Sequence, residues 1–406
     1  MSLPHTIPKR FVGLDVHKYY LVATAVDADL NLLFGAQRVQ LANLESWIAK
    51  TLTSEDAVVL EMTTNTWQIH DELLPHVHSV TVVHPPHVAL IVRAQVMTDK
   101  IAAYQLARLH AKGLLVGIWV PSQEVRERRA LVAQRAKMVR LVNQAKNRLH
   151  STLHRHHLAL PGEGNPFAPP LRNWWLSLPV SVLEKVNVLS DLDTLAFAQQ
   201  QVANLEQAML SLAAQDERVS LLVQLPGISL ITAMVILAAI GEIERFPEAK
   251  SLVGYTGLGA RIHDSGLTTR TGRITKAGRR DLRAALVEAA QVAANTHPHW
   301  QADLARLEPR LGRNKAIVAI ARKLLIAVWH ILTQQVADRF AQPELVARKL
   351  LKYAYRLGKA RRPQGLSASA FVRSQLDHLH IAQDLTHIPW GAKKKPIPLP
   401  PSSQSG

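Results

Sequence analysis

An aspartate stands inside an apolar strand near the N-terminus. Phe11-Val12-Gly13-Leu14-Asp15-Val16 reads as a buried β-type run in which position 15 should carry another aliphatic side chain. Taking an ionised carboxylate out of water costs several kcal/mol unless it is paired or bound to a cation, so a strand that tolerates one usually leads it to a site. A second run, Ala57-Val58-Val59-Leu60-Glu61, also ends in an acid, and Thr98-Asp99-Lys100-Ile101 opens a helical stretch with a third. Three carboxylates from separate elements are thereby candidates to converge on one divalent metal ion.

The chain of 406 residues is long enough for two or three domains, each with its own core. Lys and Arg total 48 against 31 Asp and Glu, a formal charge of +17, which favours a polyanionic partner because each neutralised phosphate releases condensed counterions. Cysteine is absent, which removes disulfides, thiolate metal sites and cysteine nucleophiles together. No export signal is readable in Met1 to Arg10. The apolar stretch Leu230 to Ile240 falls short of the ~18 residues of a membrane span. The expectation is a soluble, cytoplasmic protein with no membrane partner.

The pattern divides into four parts. Residues 1–120 alternate strand and helix signals: three closely spaced β-type runs at 11–16, 21–26 and 32–39, a helix at 44–52, the strand ending at Glu61, a helix at 67–74, a strand at 79–84, a helix at 98–110 and a closing strand at 115–120. A meander followed by α/β alternation is the element order of ribonuclease-H-like folds. Ligands of open α/β sheets collect at strand ends, where Asp15 and Glu61 fall. Residues 121–222 read as two long antiparallel helices, a candidate coiled-coil seam for oligomerisation. The Pro- and Gly-rich stretch between them carries Trp174 and Trp175, read as loop anchors ahead of base-stacking residues. Residues 223–341 read as almost entirely helical, and begin with a Leu225-Pro226-Gly227-Ile228 turn like that of a helix-hairpin-helix, whose helix N-terminus holds a phosphate. Residues 342–406 read as a basic tail with a disordered end. The fold class expected is α/β followed by all-α.

Ser265-Gly266 sits in a polar stretch after a helix. A serine before glycine is ordinary turn chemistry, but this one lies among Arg261, Arg270, Arg273, Lys276, Arg279, Arg280 and Arg283. Guanidinium forks suit the oxygens of a phosphodiester under attack. A second cationic set, Arg126, Arg128, Arg129, Arg135, Arg140 and Arg148, interleaves with apolar residues at helical spacing. Both sets are candidate nucleic-acid surfaces, and for each single charge a solvated helix face is the competing reading.

GLDVHK at Gly13 to Lys18, the acid at Glu61, TDKI at Thr98 to Ile101, LPGI at Leu225 to Ile228, and Ser265-Gly266 followed by GRITKAGRRDLR at Gly272 to Arg283 occur in one order. This combination resembles the insertion-sequence transposases with a RuvC-like four-acid (DEDD) domain, a family that also contains the pilin-gene invertase. The resemblance covers residues 10–340 and implies an RNA-guided recombinase, using a bridge RNA, with a serine nucleophile. It implies that Asp15, Glu61 and Asp99 are the first three acids of a quartet binding Mg²⁺, or Mn²⁺ in its place. It also implies that Ser265 forms a phosphoserine link to DNA, and that the active site is composite within a dimer or tetramer of a nucleoid-associated bacterial protein.

The family's fourth acid lies three residues after the third, and here that position is Ala102. A methyl group ligates no metal, so the expectation is a chain that binds nucleic acid but cleaves poorly. Two other readings remain open at this point: a metal-dependent nuclease or junction resolvase that hydrolyses with water, and a non-catalytic nucleic-acid-binding protein.

Overall fold

The computed structural model describes residues 8–91, 98–265 and 268–400, with residues 262–265 and 268–271 described by backbone alone. The chain divides into two compact units, Met1–Ser122 and Gln123–Gly406.

The first unit is built on a five-stranded sheet. Its strands are β1 (Arg10–Val16), β2 (Tyr20–Val26), β3 (Leu32–Gln40), β4 (Asp56–Glu61) and β5 (Ser79–Val83), in the order β3-β2-β1-β4-β5. The first three pair antiparallel as a meander, while β4 runs parallel to β1 and β5 parallel to β4. Helices α1 (Leu44–Thr51), α2 (Thr66–Leu73), α3 (Pro85–Ile91) and α4 (Asp99–Ala111) connect and cover it. Leu14 pairs with Leu60 across the parallel strands, so Asp15 and Glu61, one residue further on, leave neighbouring strands at the same end. Helix α4 lies against β1 because Gly13 has no side chain. A Cβ there would stand 2.1 Å from the Ala103 carbonyl oxygen and 2.5 Å from the Ala107 nitrogen. Ala103 and Ala107 are fully buried, completing a contact of small residues that lets backbone meet backbone.

Two expectations for this unit change. Residues 115–120 do not form a strand; Ile118 N–H donates to the Val82 carbonyl at 2.7 Å, and one such bond makes no ladder. A helix, α3, stands between the strand read at 79–84 and the helix read at 98–110, where no element was assigned: its Pro85-Pro86 start suits a first helical turn, whose N–H groups lack intrahelical acceptors in any case.

In the second unit α5 (Gln123–Arg155) and α7 (Val182–Ala213) pair along their length, with α6 (Arg172–Leu176) between them in sequence. Arg135 pairs with Glu206, Arg148 with Asp191 and Arg155 with Glu184, a falling order that makes the helices antiparallel as expected. Trp175 is buried, stacks on Phe167 and donates its indole N–H to the Pro166 carbonyl at 2.8 Å, which makes it a loop anchor. The helix read to residue 222 stops at Ala213. Asp216 caps α8 (Glu217–Val223) by accepting from Arg218 N–H, and also binds the Arg128 guanidinium.

Helices α9 (Leu230–Ile240) and α10 (Ala249–Thr256) lead to a hairpin of β6 (Ala260–Ser265) and β7 (Thr268–Ile274), which interrupts the region expected to be helical. Helices α11 (Arg280–Thr296), α12 (Pro298–Leu311) and α13 (Arg313–Gln334) follow. By length and composition α13 is apolar enough to cross a membrane, but Ala316, Ile320, Ala321, Leu324, Leu325 and Val328 are fully buried in this unit's core. The part expected as a basic tail instead folds: α14 (Pro343–Leu357), α15 (Ala368–His378) and a hairpin of β8 (His387–Trp390) and β9 (Lys393–Pro396) join the same core. Its charges hide a helical stripe, with Val346, Ala347, Leu350, Leu351 and Ala354 all buried on α14. Buried Arg373 ties the end down by donating to the Ala382, Leu385 and Pro398 carbonyls. Residues 401–406, also part of the expected tail, lie outside the described residues.

Candidate active site

The acids of the first unit meet at one end of the sheet. β1 delivers Asp15, and Thr98 caps the N-terminus of α4, its hydroxyl accepting from Ile101 N–H at 3.4 Å, which places Asp99 in the first helical turn. His17 lies between them, with Nε2 3.2 Å from Asp15 Oδ2 and 3.4 Å from Asp99 Oδ2. Tyr20 donates its hydroxyl to Asp99 Oδ2 at 3.0 Å and stacks on the His17 ring at 4.6 Å between centroids. Arg38 covers Tyr20 at 3.8 Å from the ring centre, and Asn65 Nδ2 donates to the His17 carbonyl.

Ligand atoms of Asp15, His17 and Asp99 all lie within 4.8 Å of one another. Opposite ligands of one divalent ion stand roughly 4–5 Å apart, so this trio fits inside a single coordination shell. Glu61 is outside the trio but senses it. Burial and then the Asp15 charge push the Glu61 carboxyl above its ordinary range. Burial likewise raises Asp15, with His17 opposing that rise and Asp99 adding to it. The Tyr20 hydroxyl is raised chiefly by its bond to Asp99. Half-buried carboxylates raised by burial and by a neighbouring carboxylate gain most from a cation placed among them.

Ala102 lies one turn beyond Asp99 on α4, half-buried, its N–H bonded to the Thr98 carbonyl at 2.8 Å. Sequence reasoning named Asp15, Glu61 and Asp99, of which the structure brings Asp15 and Asp99 together, and it did not name His17 or Tyr20. The signal for His17 was present, because Asp15-Val16-His17 in extended chain puts positions 15 and 17 on one face. Tyr20 depends on the turn between β1 and β2, which alternation does not predict.

In the second unit Ser265 ends β6, its Cα opposite Thr268; its side chain, like that of Arg270, lies outside the described residues. Several arginines read as nucleic-acid contacts are held within the chain. Arg128 binds Glu124 and Asp216, Arg135 binds Glu206, and Arg148 binds Asp191. Arg129 caps α9 by donating to the Ala238 and Ala239 carbonyls at 2.8 and 2.9 Å. Arg279 pairs with Asp281, Arg283 donates to the Thr256 carbonyl, and Arg261 to that of Thr275. Arg126 is half-buried on α5. Arg140, Arg273, Lys276 and Arg280 are exposed, as are Arg148 and Arg261 beside the groups that hold them. Isolated cationic letters look alike in a sequence, and only the fold shows which ones a carboxylate or carbonyl already holds.

Two family profiles match the chain. A DEDD transposase profile of the IS110 type matches residues 12–158, the span that contains the acids, and the profile "Transposase IS116/IS110/IS902 family" matches residues 219–305. The chain is 27% identical to the "Pilin gene-inverting protein" of Moraxella bovis over 338 residues, covering 80% of this chain and 96% of that one. It is 23% identical over 333 residues to the "Transposase for insertion sequence element IS1111A" of Coxiella burnetii, covering 80% of this chain and 90% of the relative. Acids gathered at one end of a mixed sheet, followed in order by the second matched segment, agree with both profiles: the chain belongs to the IS110/IS116 family of transposases, enzymes of DNA recombination.

Proposed function

We propose that this chain cuts and rejoins DNA in transposition or site-specific inversion, through a covalent phosphoserine at Ser265 and with Mg²⁺, or Mn²⁺, at Asp15, Glu61 and Asp99. The observation that carries the reading is the approach of Asp15 to Asp99 beside Glu61, on a strand order shared with ribonuclease-H-like folds. Oxygen donors suit these two hard ions, while imidazole suits softer metals, so His17 serves as hydrogen-bond partner to Asp15 and Asp99. A divalent ion held there supplies charge withdrawal from a scissile phosphate oxygen. His17 and Tyr20 keep the carboxylates oriented.

The Ser265 hydroxyl oxygen bonds to phosphorus as the bond from phosphorus to one sugar oxygen breaks. The serine proton passes to a base, and the departing sugar oxygen takes one up. Attack by a sugar hydroxyl on the phosphoserine then reseals a strand and frees the serine. The phosphodiester energy stays in the covalent link, which is the advantage of an enzyme-borne nucleophile over water.

A guide RNA belongs to this reading, with sequence read by base pairing and the protein meeting phosphates through Arg140, Arg273, Lys276 and Arg280. So does a homo-oligomer, a dimer or tetramer acting in the bacterial cytoplasm at the nucleoid. Val182 at 78% exposed, Val186 at 59%, Leu189 at 40% and Phe197 at 59% follow helical spacing along one stripe of α7, and such a stripe gains by being covered. Ala102 supplies no ligand where the family pattern has an acid, so strand transfer by this chain is weak.

The test is a denaturing gel for a protein–DNA adduct, with labelled donor and target DNA, co-expressed RNA from the element's end and Mg²⁺. Adduct should rise at least tenfold in Ala102→Asp and vanish when Ser265→Ala is added. Equal adduct with and without Ala102→Asp would show that Asp15, Glu61 and Asp99 suffice. Free cleaved ends untouched by Ser265→Ala would replace the recombinase with a hydrolytic nuclease.

A further inference from the structure

A cleft of about 500 Å³ opens in the second unit between the Leu225–Ile228 turn and α14, and Ser265 and its arginines are not among its lining residues. Three observations about it converge. The turn is held by Lys349, whose ammonium donates to the Leu225 carbonyl and, at 2.9 Å, to that of Ile228. With its carbonyls bound from beneath, the turn leads into α9, whose Leu230 and Ile231 amides have no carbonyl one turn back to accept from them. Arg348 and Lys352 line the same cleft, exposed, on successive turns of α14. Finally, His297 forms part of the wall. It is 4% exposed, and its Nδ1 has no partner among the described residues. Asp338 also lines the cleft; its Oδ2 is occupied in accepting the Phe340 N–H at 3.2 Å.

We infer that this cleft is a second nucleic-acid contact, which seats a backbone phosphodiester between the N-terminus of α9 and the Arg348 and Lys352 side chains. The inference deepens the recombinase reading and rests on it for the class of partner. The chemistry is that of an anion site. Helix amides and the helix dipole favour a phosphate oxygen, two cations neutralise its charge, and the free ring nitrogen of His297 can accept from a water that bridges to the phosphate. Apolar side chains, Val292 among them, line the cleft beside these groups. DNA and RNA both present this group, and the experiment separates them.

The chain has no cysteine, so one introduced thiol reports one place. Val292→Cys puts a thiol in the cleft wall, and Lys315→Cys puts one on an exposed control position on α13. Alkylation of each full-length variant is timed alone, with saturating double-stranded DNA, and with saturating RNA, binding being followed in parallel by fluorescence anisotropy. Nucleic acid should slow alkylation at Val292→Cys by at least fivefold and leave Lys315→Cys unchanged. Protection by only one polymer assigns the phosphate to that polymer. Adding Arg348→Ala and Lys352→Ala should abolish the protection and lower the salt slope of binding by about 1, since the one phosphate seated there contributes about 0.9. The matched pair Arg310→Ala and Lys315→Ala removes the same charge elsewhere and should leave protection intact. Binding without protection overturns the inference while leaving the strand-transfer reading to its own gel; absence of binding to either polymer overturns both.

Discussion

The acid cluster of the first unit and the cationic cleft of the second solve opposite electrostatic problems by the same structural means. In each, a glycine brings two backbones closer than any side chain would allow, and the charged groups sit where that contact fixes them. Gly13 admits α4 to β1 and so sets Asp99 beside Asp15. Gly227, at φ +78°, seats the turn before α9 against Ala289, whose carbonyl oxygen would be 2.0 Å from an added Cβ. The difference lies in how the charge is compensated. Burial and a neighbouring carboxylate raise both Asp15 and Glu61, and among the described residues His17 is the candidate counter-charge that meets Asp15 and Asp99, whereas Lys349 is bound by carbonyls of its own chain. A cluster of like carboxylates asks for a cation from outside; a cleft whose central cation is already bound presents its remaining cations and amides to an anion.

The sharpest way to break this comparison is to remove its shared device. Gly227→Ala meets both a backbone clash and a left-handed conformation, which costs an L-residue roughly 1–2 kcal/mol before any clash is counted. Overpacking adds about 1–3 kcal/mol or more, so the second unit should lose several kcal/mol, read as a fall in its transition in thermal melting. Gly13→Ala carries the clash alone, at a backbone angle outside the left-handed region, and should cost less. Its more telling effect is on chemistry: α4 must move away from β1, so metal-dependent strand transfer should drop by at least tenfold while protection of Val292→Cys in the cleft stays intact. Equal loss of both readouts in Gly13→Ala would mean that the two regions are not independent.

How far the two regions could be read from sequence follows from the same contrast. Asp15 and Glu61 were legible because a carboxylate in or at the end of an apolar run breaks a short-range pattern, Asp99 because it opens a helix, and the succession of β1 to β5 along the chain followed from alternation and spacing. The hairpin at Ala260–Ile274 and the folding of residues 343–397 were not legible. β6 and β7 are polar on the page, and the buried stripe of α14 is interleaved with Arg348, Lys349, Lys352 and Arg356. Arg129 and Arg135 read as nucleic-acid contacts because the carbonyls and carboxylate that hold them are about 70 to 110 positions away in sequence. Lys349, the residue that anchors the cleft, looked like one more charge in a basic tail. A long-range partner leaves no local signature, so sequence reveals the odd residue in an apolar element more readily than the satisfied residue in a charged one.

Lys349 gives the next test, in alkaline solution. Burial, and then the neighbouring Lys352, push its ammonium down from 10.5 to about 7. Between those values the unfolded chain holds the proton that the folded chain has released, so stability rises with pH across that window. His297 and Asp338 face the same cleft, but His297 is lowered from 6.5 and Asp338 is a carboxyl, so neither titrates there. The second unit should therefore melt a few degrees higher at pH 9.5 than at pH 7, relative to Lys349→Met, in which that gain is absent. Parallel pH profiles for the two proteins would show that the ammonium is not desolvated.

The smallest expected effect is the mirror of this one in the first unit. His110 on α4 packs edge-on against Phe11 at 5.8 Å between ring centres, its Nε2 without a partner among the described residues, and burial lowers it from 6.5 to about 4. From pH 6.5 down to about 4 the unfolded chain takes up a proton that the folded one refuses, so stability falls as pH falls. His110→Phe keeps a ring of similar shape and removes the proton site, so it should flatten this acid limb by a degree or two in melting at pH 5 and change nothing at pH 8. Since His110 lies on the helix that carries Asp99, the substitution also asks whether the acid cluster tolerates a neutral change made further along its own support. Unchanged strand transfer at pH 8 would assign the acid sensitivity to packing, and a loss there would tie the seating of α4 on β1 to the chemistry at its N-terminus.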